Sequence, residues 1–185
     1  MIKAATNQIN VMNVGIPADG GAQYLVFRGI EFTGGSAGVR LLQVNNIWFD
    51  QNIVHDVSDA AVTANSYDSS YLYLTRNEIH DTGATGEGMY LGGNYGSVIL
   101  HDSIVALNHI HHTYQADQGD GIELKQGSYG NWIVGNYVHD TNYPCILVYG
   151  TYGKAINTIE RNICHTSNNE VMQVQGRRSW RTISW

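Results

Sequence analysis

The sequence predicts an all-β solenoid of stacked parallel strands, and three observations carry that reading. A short motif recurs at unequal steps, a second apolar strand pattern follows each copy, and no stretch of the 185 residues holds a helical stripe. The motif is an apolar residue, two variable residues, Asn, one variable residue, an aliphatic residue or Cys, then His. In chain order it reads Phe49-Asp50-Gln51-Asn52-Ile53-Val54-His55, Leu74-Thr75-Arg76-Asn77-Glu78-Ile79-His80 and Val105-Ala106-Leu107-Asn108-His109-Ile110-His111. It returns as Ile133-Val134-Gly135-Asn136-Tyr137-Val138-His139 and Ile159-Glu160-Arg161-Asn162-Ile163-Cys164-His165. A degenerate copy at Phe27–Thr33 puts Ile30 where Asn would stand. The steps between asparagines are 25, 31, 28 and 26 residues. A fixed motif at a drifting period means stacked turns joined by loops that tolerate insertion.

The second element follows each corner as Gly38-Val39-Arg40-Leu41, Ala61-Val62-Thr63-Ala64, Gly88-Met89-Tyr90-Leu91, Gly121-Ile122-Glu123-Leu124, Cys145-Ile146-Leu147-Val148 and Val171-Met172-Gln173-Val174. Its period of two is that of short half-buried strands. A leucine-rich horseshoe needs more Leu than this chain carries, and a propeller blade needs about 40 residues. The Asn column has a structural reading: Asn tolerates left-handed backbone at a tight corner, and stacked amides at about 4.8 Å can bond along the axis.

Composition removes other classes. Charged residues are 14% and the net charge is −6. Three basic residues crowd the C-terminus (Arg177, Arg178, Arg181), leaving little to neutralise phosphates elsewhere, so no nucleic-acid partner is expected. No apolar run reaches the length of a membrane span, and Met1–Asn7 lacks the apolar stretch of a signal peptide. Cys145 and Cys164 fit neither a disulfide framework nor a zinc site and replace apolar or small repeat positions, so they read as core residues.

The Asn-x-Ile-His-Asp-Thr corner, followed by Gly-x-Gly-Met/Ile-x-Leu, resembles the right-handed parallel β-helix repeats of pectate-lyase-like, carbohydrate-active proteins. The resemblance covers residues 24–175. It implies a single β-helix domain over 1–185, of about six to seven rungs, working outside the cell or in the periplasm. Six rungs at about 4.8 Å make a stack about 29 Å tall. Residues 1–23 show no amphipathic stripe for the capping helix usual in that family and read as another irregular turn. Residues 176–185 are an atypical tail. An uncapped stack exposes strand edges, so the chain is expected to be a fragment or a short member that self-associates or is capped by its tails.

Chemistry is expected on the outer face of the second strand. Ile122 and Leu124 should point inward, which puts Glu123 and Lys125 together outside, between Tyr90 and Leu147 and between Gly92 and Tyr149 respectively. Glu87 and Asp120 stand one rung apart just before these strands, with Asp59 in the rung before. They reach the outer face only if Gly88 and Gly121 break the alternation. Carboxylates so placed share a proton or hold a cation such as Ca²⁺, for which Glu87, Asp120 and Glu123 are the expected ligands. Lys125, its pKa lowered beside that cation, could abstract the proton α to a uronate carboxylate, making Lys125 and Glu123 the catalytic candidates. Tyr90 and Tyr149 would offer flat surfaces to sugar rings. The resemblance then implies a lyase or epimerase acting on an acidic polysaccharide. The alternatives are a non-catalytic glycan-binding or structural module, and a glycoside hydrolase. The plainer reading of Glu123 and Lys125 is a solvated surface pair. No Arg base is evident on this face, and Arg76 belongs to another side.

The histidines His55, His80, His111, His139 and His165 should line one outer edge. With His109 and His112 they form an imidazole-rich ridge. Stacked rings face the same way and converge poorly on an ion, so a ladder is expected, with the His-Asp pairs bonding to backbone of the following turn.

Overall fold

A computed structural model describes residues 1–4, 9–113 and 117–176. The chain coils through three seven-stranded parallel sheets, visiting each once per turn for about six turns. The first sheet stacks Ile2–Lys3, Glu31–Thr33, Ile53–Val57, Glu78–Thr82, His109–His111, Tyr137–Thr141 and Ile163–Ser167. The second stacks Asn10–Val14, Ala37–Leu41, Val62–Ala64, Met89–Leu91, Ile122–Leu124, Ile146–Tyr149 and Met172–Gln175. The third runs through Ala22–Arg28, Val44–Asp50, Ser69–Thr75, Ile104–Ala106, Trp132–Val134 and Thr158–Glu160, with Leu100–His101 beside Ser69–Thr75. Short 3₁₀ turns at Pro17–Asp19 and Asn94–Gly96 are the helical elements among the described residues. No helix there is long and apolar enough to cross a membrane.

The stack starts earlier than the motif. Ile2 and Lys3 already pair with Phe32 and Thr33, and Asn10–Val14 pairs with Ala37–Leu41. The N-terminal segment is thus a rung, with Lys3 in the file that Thr33 and His55 occupy. The tail from 177 onward, and the capping expected of it, lie outside the described residues.

Inward side chains from the three sheets fill the coil: Phe32, Val54, Ile79, Ile110 and Val138 from the first, Val39, Val62, Met89, Ile122 and Ile146 from the second, and Phe49, Leu74, Val105 and Ile133 from the third, all at most 1% exposed. Cys145 lies in this interior and Cys164 packs against it, both as free thiols.

The asparagines form the expected ladder. Each Oδ1 accepts both the backbone N–H and the Nδ2 of the asparagine one rung before: Asn77 receives Asn52, Asn108 receives Asn77, Asn136 receives Asn108 and Asn162 receives Asn136, at 2.9–3.2 Å. The second amide hydrogen of each goes to a third-sheet carbonyl of the preceding rung, as from Asn108 to Leu74 at 2.8 Å. The left-handed residue at this corner is not the asparagine. It is the residue before it: Gly29, Gln51, Arg76, Leu107, Gly135 and Arg161 all have φ between 53° and 67°. The amide is therefore free to face inward.

A second ladder runs at another corner. Asn157 accepts the backbone N–H and Nδ2 of Asn131, and Asn131 accepts the backbone N–H of Ser103. Ser103 Oγ in turn accepts the Leu72 N–H at 2.9 Å.

Candidate functional site

The second sheet carries a cleft of about 650 Å³ on its outer face. Register builds it. Val62, Met89, Ile122 and Ile146 align in one inward file, so Thr63, Tyr90, Glu123 and Leu147 align in the outward file beside it. Arg40 continues that file from Thr63 towards Asn13. No Arg was expected on this face. The signal was available, because Gly38-Val39-Arg40-Leu41 aligns residue for residue with Gly121-Ile122-Glu123-Leu124.

Glu87 and Asp120 reach the cleft because the alternation breaks as anticipated. A Cβ on Gly121 would lie 2.3 Å from Val138 Cγ1 and 2.5 Å from the Cys145 carbonyl oxygen; one on Gly88 would meet Ile110 Cγ2 and the Gly121 oxygen at 2.6 Å. These glycines face the packed interior although the next residues, Ile122 and Met89, are also buried. Two successive inward positions throw the preceding carboxylates outward.

Glu87, Asp120 and Glu123 each place an oxygen within 4.8 Å of the other two. All three are at most 2% exposed. Thr85 Oγ1 bridges Glu87 Oε2 at 3.2 Å to Asp59 Oδ1 at 2.9 Å. Asp120 Oδ1, Glu123 Oε2 and Thr63 Oγ1 have no hydrogen-bond partner among the described residues. Burial, then the charges of Glu123 and Glu87, pushes the Asp120 carboxyl up to about 8. Burial also raises Glu87 and Glu123, against the hydrogen bonds that favour their ionised forms.

Lys125 contacts Glu123 in a direct ion pair. Its side chain is 8% exposed, which overturns the solvated surface pair. The lowered amine was expected beside a bound cation. Burial alone would lower Lys125, but the hydrogen bond and charge of Glu123 outweigh it and hold the ammonium above the ordinary lysine value. As the protein stands, Lys125 is a paired cation. Its ammonium lies 4.6 Å from the centre of the Tyr90 ring and 5.4 Å from that of Tyr149, so each ring turns a face to the lysine. Arg76 lies on the third sheet's side as expected. There it joins Arg28 and Thr75 around fully buried Asp50, at 2.6–2.9 Å.

The histidine file forms as expected on the first sheet. His55, His80, His111, His139 and His165 stack at centroid distances of 5.0–5.2 Å with planes within 11°. The His-Asp pairs differ from expectation. Asp56, Asp81 and Asp140 adopt left-handed backbone and turn their carboxylates back onto the preceding ring, each 2.7 Å from Nδ1. They orient imidazoles, not the following turn.

Neither a curated protein nor a solved structure matches this chain. The sequence model of the family described as "Right handed beta helix region" matches residues 2–163. That span takes in the Asn corners, the cleft residues from Arg40 to Tyr149 and the histidine file as far as His139, and the chain belongs to the right-handed β-helix family.

Proposed function

We propose that the second-sheet cleft is the active site of an enzyme that acts on an acidic polysaccharide by abstracting the proton α to a uronate carboxylate, as a lyase or an epimerase does. One observation carries this reading: a buried lysine and three buried carboxylates, with two carboxylate oxygens lacking a hydrogen-bond partner among the described residues, line one open groove between two tyrosines. The groove follows the sheet axis, which suits an extended chain of sugars. Arg40, on the same file, offers a positive group to a neighbouring uronate; its guanidinium is held 2.6 Å from Ser66 Oγ.

Glu87, Asp120 and Glu123 are hard oxygen donors with unfilled lone pairs and fit Ca²⁺. Such a cation would neutralise the substrate carboxylate and take up the Glu123 charge, leaving burial, the largest influence on Lys125, to lower its amine. In a lyase the C5 proton passes to Lys125, the electron pair forms the C4–C5 double bond, and the C4–O bond breaks with the Tyr90 phenol protonating the departing oxygen. Burial holds that phenol protonated. An enzyme of this kind works where glycans are, extracellularly or in the periplasm.

A second reading, glycoside hydrolysis, is favoured by Asp120, which stays protonated to about pH 8 and could act as general acid to an ionised Glu87 or Glu123. The test is incubation with polygalacturonate or alginate and Ca²⁺. An ultraviolet absorbance rise from the new double bond, lost by about 10²-fold or more in Lys125→Ala, supports the lyase. Reducing sugar without that absorbance moves the assignment to hydrolysis. Retained binding with neither product overturns both in favour of a glycan-binding module.

A further inference from the structure

The histidine sheet holds a cluster that the cleft chemistry does not use. Most rungs place one histidine on its outer face, and parallel rings about 5 Å apart do not converge. One rung differs. His109-Ile110-His111 is a His-x-His strand, so two imidazoles share one outward face. His109 stands outside the five-membered stack, in a file between Glu78 and Tyr137. From there its ring tilts 36° to His111 and 37° to His139, bridging the gap that stacking leaves open. His109 Nε2 lies 2.9 Å from His139 Nε2. Glu78 Oε1 lies 3.4 Å from His111 Nε2. Glu78, His109 and His111 each present a donor atom within 4.8 Å of the others.

Two facing ring nitrogens at 2.9 Å need either one proton between them or a cation that both can bind. Asp140 sits 2.7 Å from His139 Nδ1, which places the His139 proton on that nitrogen and leaves Nε2 with its lone pair exposed. This is the outer-sphere arrangement of metal-binding histidines. Donors of one ion at about 2.1 Å lie at most about 4.2 Å apart, so closing Glu78, His109 and His111 onto one ion needs about half an ångström, within reach of side-chain rotation.

We infer that Glu78, His109 and His111 form a site for a divalent transition-metal ion that prefers imidazole and carboxylate ligands, such as Zn²⁺, with the His139 lone pair facing His109 beside it. The ion ties two successive rungs of the first sheet together across their outer face. Imidazole donors set it apart from Ca²⁺, which takes oxygen ligands.

The test uses the full chain without any histidine tag, stripped with chelator and titrated with Zn²⁺ by calorimetry, with melting followed in parallel. One ion per chain is expected, with a rise in melting temperature that excess Ca²⁺ does not reverse. His109→Gln should weaken Zn²⁺ binding by about tenfold or more. His165→Gln, which removes a stacked ring with no imidazole beside it on its strand, should leave binding within about twofold of the wild type, well below the ligand effect. Circular dichroism of both variants without metal reports that they fold. Absence of saturable binding, equal losses in the two variants, or undiminished binding in His109→Gln would each overturn the assignment. Lys125→Ala should bind Zn²⁺ normally, which separates this site from the cleft.

Discussion

Asp120 concentrates the cost of the cleft in one side chain. Its carboxyl is raised from an ordinary 3.8 to about 8 in the fold, so the native state holds a proton that the unfolded chain releases. The sign follows: its contribution to stability is full below pH about 4 and is lost progressively as the pH rises towards 8. Asp120→Asn removes that loss. It should gain on the order of 2 kcal/mol at pH 7, about 4–8 °C in a thermal melt, while abolishing turnover. An unchanged or lower melting temperature would contradict the buried like-charge cluster. The same group separates the two chemistries by pH at limiting Ca²⁺: lyase activity should climb through pH 8 as Asp120 ionises, and hydrolase activity should fall. Asp50 behaves oppositely. Burial raises it, but the bonds from Thr75 and Arg76, the Arg76 charge and the Arg28 bond outweigh that and hold it below its ordinary value. Its stabilisation is present above pH 4 and lost as the pH falls further, and Asp50→Ala should flatten that acid limb.

At the scale of single elements, the corner ladders and the inward glycines set the position of everything outside them. Asn108 receives hydrogen bonds from Asn77 and donates to Asn136 and to the Leu74 carbonyl, so Asn108→Ala orphans buried groups on both sides. A loss of about 2–4 kcal/mol is expected from chemical denaturation. Asn162→Ala, with no asparagine beyond it in the ladder and a more exposed setting, should cost less, and equal costs would contradict a cooperative ladder. Gly121→Ala drives a methyl group against Val138 and the Cys145 carbonyl. It should cost about 1–3 kcal/mol by overpacking and lower cleft activity by shifting Asp120, with KM and kcat changing together.

The whole molecule is a one-dimensional stack, in which each rung contacts its neighbours and stability adds rung by rung. The histidine file couples that stack to pH. Burial lowers His109 and His111, reinforced by the imidazoles around them, so their contribution is present above pH 6.5 and lost below it. Burial would lower His55 too, but Asp56 and Glu31 outweigh it and raise it, so its contribution is full below pH 6.5 and fades above. Two against one, the file favours pH 7 over pH 5, while the raised cleft carboxylates favour pH 5, so the file's share is read by difference in chelator-treated protein. His109→Gln should raise the melting temperature at pH 5 relative to that at pH 7 when compared with the wild type, and an identical pH profile in the two proteins would contradict the lowered His109.

By itself the sequence determined the coil, the Asn ladder, the stacked histidines and the cleft neighbours Glu87, Tyr90, Asp120, Glu123, Lys125 and Tyr149. Each follows from period and register, which a one-dimensional repeat maps directly onto space. Glycine before the strand even signalled the break that turns Glu87 and Asp120 outward. The second ladder was legible too, since Ser103, Asn131 and Asn157 each stand five residues before a corner asparagine. Only the tertiary structure decided how charge and rotamer resolve. Pairing with Glu123 holds Lys125 as a cation, the left-handed corner falls one residue before each asparagine, and His109 leans across its file towards two rungs at once. Those outcomes depend on burial and side-chain angles, quantities set by neighbours tens of residues away that no local pattern encodes.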